Sequence, residues 1–127
     1  MGHIIAVAIG GATGALLRFF VSSWTYAWLG KSFPYGTLAV NVLGSLLAGC
    51  LYVLLAERWQ DVPELRSFLL IGMLGAFTTF STFSIETMEL LNRAEYVKAL
   101  ANMVISVLLC ILAAGFGMML GRYFSHT

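Results

Sequence analysis

The sequence predicts an all-α membrane protein of four transmembrane helices, and three observations carry that prediction. Hydrophobic residues make up 60% of the chain and charged residues only 10%, against roughly 45–50% and about 25% in soluble domains. Mean hydropathy is +0.90. The apolar residues gather into four runs, each near the ~20 residues that a helix needs to cross hydrocarbon. A chain this apolar could not cover its surface with polar groups in water. That excludes a soluble enzyme, a disordered region and a nucleic-acid-binding module. A net charge of +1 with no basic or acidic tract implies no polyanion partner. The 127 residues suit a single four-helix domain over 1–127, with little chain left over.

The first run covers residues 4–29 and holds one charge, Arg18. It begins MGHIIAV, without Lys or Arg, is too long for the apolar core of a signal peptide, and is followed by no small-residue cleavage motif. It is therefore expected as a mature helix. The second run, 36–56, is uncharged. The third starts near Phe68 and stays uncharged until Glu86, with Glu89 following. The fourth, 99–121, is uncharged. Connections fall at 30–35, 57–67 and 92–98; the middle one is charged and is expected as a solvated loop with a short surface helix. Trp24, Tyr26, Trp28, Tyr35, Trp59, Tyr96 and Tyr123 lie near the run ends and read as the aromatic belt of a membrane protein. Gly10 and Gly14, and Ala113, Gly117 and Gly121, repeat at four-residue spacing, which lets helix backbones approach closely. Cys50 and Cys110 lie inside apolar runs and read as reduced core thiols. His3 and His126 are terminal and expected to be solvated.

With four spans, both termini share a side with the 57–67 loop. That side carries Arg58, Arg66 and Arg122, and the opposite side Lys31, Arg93 and Lys98. Orientation normally follows an excess of Lys and Arg on the cytoplasmic side. Three against three gives no excess, so the chain is expected to insert both ways and to pair as antiparallel copies about a two-fold axis in the membrane plane. The competing reading is one orientation set by weaker signals.

Polar residues inside the spans must face protein or water. Thr37, Asn41 and Ser45 recur every four residues in the second span, and Asn102, Ser106 and Cys110 do so in the fourth. Each set forms a stripe on one helix face. Two readings stay open: interhelical hydrogen bonding, or the lining of a path for a small hydrated solute. In the third span five of the seven residues 78–84 carry hydroxyls, and Gly72 and Gly75 precede them. Such residues make a poor helix centre, so a break is expected there, at mid-membrane depth. Irregular backbone is tolerated at that depth only where protein buries it or a cavity receives it. Its carbonyls would suit a bare monovalent cation. Phe80 and Phe83 are three residues apart. Aromatic rings have a positive edge, so the pair can meet an anion without a formal charge, or can simply pack.

The strings GGATGALLRF (10–19), GTLAVN (36–41) and GMLGAFTTFSTFSIE (72–86) together resemble the microbial fluoride channels of the Fluc or CrcB family. They fall in order on three of the four spans, and TTFSTFS is the most specific. The resemblance implies a fluoride-selective channel in the cell (inner) membrane of a bacterium, built as an antiparallel, dual-topology homodimer with two pores. It further implies that Phe80 and Phe83 meet fluoride with their ring edges, that Asn41 is a pore asparagine, and that Thr37, Ser106 and Glu86 belong to a polar track. Asn102, on the same ladder as Ser106, is placed with the pore residues. Arg18 would sit toward an aqueous vestibule. Main-chain carbonyls of Gly75 and Thr78 would hold one structural sodium ion at the dimer centre. The position of Cys110 on the ladder carries no assigned role.

The expected mechanism is passive. Fluoride is small and tightly hydrated, so a pore must replace its water with donors and dipoles and still release it. The sequence offers no nucleophile–base pair, metal-ligand cluster or phosphate loop, and no enzyme is expected. Two other classes compete. A proton-coupled exporter resembling the small multidrug transporters would need a glutamate in the first span, where this chain has Arg18. A non-transporting assembly subunit would pass no solute when reconstituted alone.

Overall fold

The computed structural model describes residues 1–127 and is all-helical. Helix α1 spans Gly2–Leu29 and α2 spans Tyr35–Glu57. The third span, Pro63–Asn92, is composite. It opens with the short surface helix α3 (Pro63–Arg66), with proline in its first turn, where no backbone donor is needed. A π-wound stretch follows over Ser67–Leu74, then one α-helical turn, α4 (Gly75–Phe77), and then α5 (Phe80–Asn92). Helix α6 is Tyr96–Ser125. Four stretches are long and apolar enough to cross a membrane, so the chain is a multi-pass membrane protein.

Glycine seams set the packing. A Cβ on Gly10 would collide with the carbonyl oxygen of Phe68, and one on Gly14 with that of Met73, so α1 lies backbone to backbone against the π-wound stretch. Helix α6 runs along α2 in the same way: Gly117 abuts the Leu46 carbonyl and the Cys50 nitrogen, and Gly49 abuts the Ala114 carbonyl. Little hydrophobic effect operates between helices in lipid, and close van der Waals approach of this kind holds membrane bundles together. The interior is small. Val40, Leu74 and Phe77 form its centre, only 22 of 127 residues are buried, and large apolar side chains cover every long helix outside.

Connections are short and capped. The α5–α6 turn closes with the Glu95 N–H on the Leu90 carbonyl at 2.9 Å and the Ala94 N–H on that of Leu91 at 3.0 Å. Ala94 takes the left-handed position (φ 59°) that such a cap needs and that glycine usually fills. The decisive irregularity lies between α4 and α5. Thr78 (φ −86°, ψ 157°) and Thr79 (φ −150°, ψ 114°) are extended. Helical geometry resumes at Phe80, inside the hydroxyl run and not after it, where the Thr79 side chain caps the new helix; within α5, Ser84 and Thr87 return their hydroxyl protons to the carbonyls of Phe80 and Phe83 at 3.0 and 2.8 Å.

Gly117→Val should lower the thermal unfolding midpoint of the purified protein in detergent, since overpacking costs roughly 1–3 kcal/mol. Gly115→Val, whose Cβ would meet nothing within 4 Å, should not lower it. Equal midpoints for the two variants would contradict the seam.

Candidate functional site

The extended pair Thr78–Thr79 is held from α2. The Asn41 amide donates to the Thr79 carbonyl at 3.0 Å, and the Thr79 N–H donates to Asn41 Oδ1 at 2.7 Å. One side chain thus gives the extended residue both bonds that a neighbouring strand would give. Thr79 also caps α5, its hydroxyl oxygen accepting the Thr82 N–H at 3.2 Å. These bonds divert two donors. The helical partner of the Gly75 carbonyl would be the Thr79 N–H, and that of the Thr78 carbonyl the Thr82 N–H; both point elsewhere. The Ala76 carbonyl receives the Arg18 guanidinium Nε–H at 3.0 Å. A cation there also complements the C-terminal end of the helical segment.

A groove of about 480 Å³ opens beside this link. Asn41, Phe80, Phe83, Ser106, Gly75 and Thr78 all line it, with Ser45 and Cys110 from the two polar ladders and no charged side chain. The phenylalanine rings lie 5.4 Å apart between centroids and are tilted 44°. Phe80 is 76% exposed, and Phe83 is half-buried.

Other residues singled out in the sequence lie outside the groove. Asn102, 2% exposed, donates to the Thr87 hydroxyl at 2.9 Å and accepts from Ser106 at 3.2 Å. Its amide ties α6 to α5. Thr37 and Glu86 meet each other one helical turn from Asn41 and Phe83: the Thr37 hydroxyl donates to Glu86 Oε1. Arg18 lines a separate small pocket with Phe19 and Ser22, on the α1 side. Sequence reasoning missed Tyr26. It reads as one more belt aromatic, yet its hydroxyl turns inward and donates to Glu86 Oε2 at 2.6 Å. Its partner lies 60 residues away in the chain, so no local pattern marks it. His3 meets the buried Ser67 hydroxyl at 2.6 Å. His3 is exposed, as the sequence suggests, and this one hydrogen bond fixes its ring.

Four spans, helical geometry interrupted in the third, and an uncharged, mostly apolar groove with a few polar side chains on one side and aromatic rings on the other define a membrane protein built around a cleft between its helices. The model of the family described as "CrcB-like protein, Camphor Resistance (CrcB)" matches residues 5–118, and the chain belongs to that family. A relative from Magnetococcus marinus is 52% identical over 120 residues, covering 94% of this chain and 98% of the relative. One from Hydrogenovibrio crunogenus is 48% identical over 122 residues (96% and 92%), and one from Coxiella burnetii 45% over 121 (94% and 98%). All three are named fluoride-specific ion channels, FluC; none is named an enzyme.

Thr87→Val should strand the buried Asn102 amide, at a cost of about 1–3 kcal/mol. The expected result is a lower unfolding midpoint in detergent. An unchanged midpoint would contradict the tie between α5 and α6.

Proposed function

We propose that the chain is a fluoride-selective passive channel that lets cytoplasmic fluoride leave down its electrochemical gradient. The observation that carries this reading is the meeting of Asn41, Ser106, Phe80 and Phe83 in one groove without a formal charge. Fluoride must exchange water for donors. The second amide hydrogen of Asn41 is not needed by Thr79, and Ser45 adds a hydroxyl to the same wall of the groove. The ring edges of Phe80 and Phe83 add weak positive contacts. With no lysine or arginine in the groove, the ion is stabilised but not trapped, which conduction requires. The fluoride-specific channels among the relatives support the choice of ion.

The working unit is an antiparallel, dual-topology homodimer with two pores, each lined by both copies. Two facts favour it. Apart from Arg18 inside the first span, lysines and arginines are balanced three against three between the two ends of the helices, and the groove lies open on a chain that buries few of its own residues. In that dimer the interrupted third spans meet near mid-membrane, close to the two-fold axis. The Gly75 and Thr78 carbonyls, whose helical donors are diverted, would hold one structural sodium ion there. The donor set fits such an ion, since main-chain oxygens are hard, neutral ligands. When bound, the ion would act as a staple, a positive charge for carbonyl dipoles that lack helical partners. Thr37 and Glu86 lie beside the anion path beyond the phenylalanines, Asn102 sets the position of Ser106, and Arg18 draws anions toward the α1 side while holding Ala76.

Liposomes containing only this protein should release fluoride passively and retain chloride, read with ion-selective electrodes. Phe80→Ile and Phe83→Ile keep the bulk but remove the ring edge. Each should slow fluoride release by roughly 2- to 13-fold, from a contact of about 0.5–1.5 kcal/mol. Comparable fluoride and chloride rates, or release that requires a proton gradient, would overturn the reading.

A further inference from the structure

Glu86 presents a problem for an anion path. It is a carboxylate within a membrane-spanning segment, one helical turn from Phe83, and it lines a second, polar pocket of about 320 Å³ with Tyr26, Lys31, Ser32 and Arg93. An ion moving between the groove and that pocket passes close to a group that repels it. The structure shows how the group is restrained. Glu86 Oε2 accepts the Tyr26 hydroxyl at 2.6 Å, and Oε1 accepts the Thr37 hydroxyl. Both oxygens are therefore tied, one to α1 and one to α2.

The seat for Tyr26 is shaped for it. A Cβ on Gly36 would collide with the edge of the Tyr26 ring and stand 2.6 Å from the Ser22 hydroxyl. The missing side chain at Gly36 is what lets the ring cross from α1 over α2 to reach Glu86. The Tyr26 hydroxyl also lies 3.4 Å from that of Thr37, so both donors converge on one carboxylate. A belt tyrosine that anchors a helix at the interface would instead turn its hydroxyl to water.

We propose that Tyr26 is a positioning residue for anion passage. Its hydroxyl holds the Glu86 carboxylate against α1 and α2, withdrawn from the ion's route between the phenylalanine groove and the Lys31–Arg93 pocket. This rests on the channel reading above and adds a residue that no motif carries. Without the hydroxyl, Glu86 keeps only Thr37, its charge is less offset by donors, and the carboxylate is free to swing toward the path.

The test is Tyr26→Phe, which keeps the ring in the Gly36 seat and removes one oxygen. Two quantities are read on the same folded, reconstituted protein. Fluoride efflux should fall at least about tenfold, the scale expected for losing a hydrogen bond to a charged group. The antisymmetric carboxylate stretch of Glu86, assigned in the infrared spectrum by its loss in Glu86→Gln, should shift. A structural role of the ring alone would move neither. Efflux at the native rate, or a band that stays in place, overturns the proposal. Native protein that passes no fluoride in the same vesicles overturns the channel reading instead. The infrared band would still report the Tyr26–Glu86 contact.

Discussion

The arrangement depends on the pair of hydrogen bonds between the Asn41 amide and the peptide of Thr79. In hydrocarbon an unpaired backbone group costs several kcal/mol, which is why membrane spans are normally unbroken helices. Two extended residues between α4 and α5 are tolerable only if something else meets their polar groups. Asn41 meets both groups of Thr79, and the Thr79 hydroxyl caps the helix that restarts. Once those bonds are set, Phe80 and Phe83 fall on the groove side of α5. The carbonyls of Gly75 and Thr78 lose their ordinary partners, and that of Ala76 is left for Arg18.

The glycine seams make this link possible. Asn41 can reach Thr79 only if α2 lies close to the third span. Gly44 serves that approach, since a Cβ there would collide with the Thr78 methyl group. On the opposite face of the third span, Gly10 and Gly14 bring α1 against the π-wound stretch, within reach for Arg18 to bond Ala76. Close packing and the polar link are thus one design: small residues bring backbones together, and a few long polar side chains then reach across. The same logic places Tyr26 on Glu86 over Gly36. The proposed fluoride path follows these contacts, with amide and hydroxyl donors on the α2 side and ring edges on the α5 side.

Much of this was legible in the sequence, for physical reasons. The spans follow from hydropathy, because lipid admits little else. The weak helix centre near Thr78 follows from hydroxyl residues and glycine, although the extended stretch is shorter than the run, since hydroxyls can bond back along a helix. The meeting of Asn41, Phe80, Phe83 and Ser106 was anticipated through spacing and family resemblance together. What remained hidden depends on distant partners. The two polar ladders look alike in sequence, yet Asn41 bonds a peptide 38 residues away while Asn102 bonds a hydroxyl on α5, 15 residues away. Tyr26 is indistinguishable by position from Trp24 and Trp28, which are exposed. The π winding of Ser67–Leu74 has no local signature in its apolar residues.

The most direct measurement is fluoride efflux from liposomes bearing Asn41→Leu, beside native protein of the same monodispersity. Leucine keeps the volume and removes both bonds to Thr79. If the Asn41–Thr79 pair sets the phenylalanines in place, efflux should fall by tenfold or more, corresponding to about 1.4 kcal/mol or more on the barrier. A folded Asn41→Leu protein that releases fluoride at the native rate would contradict the account.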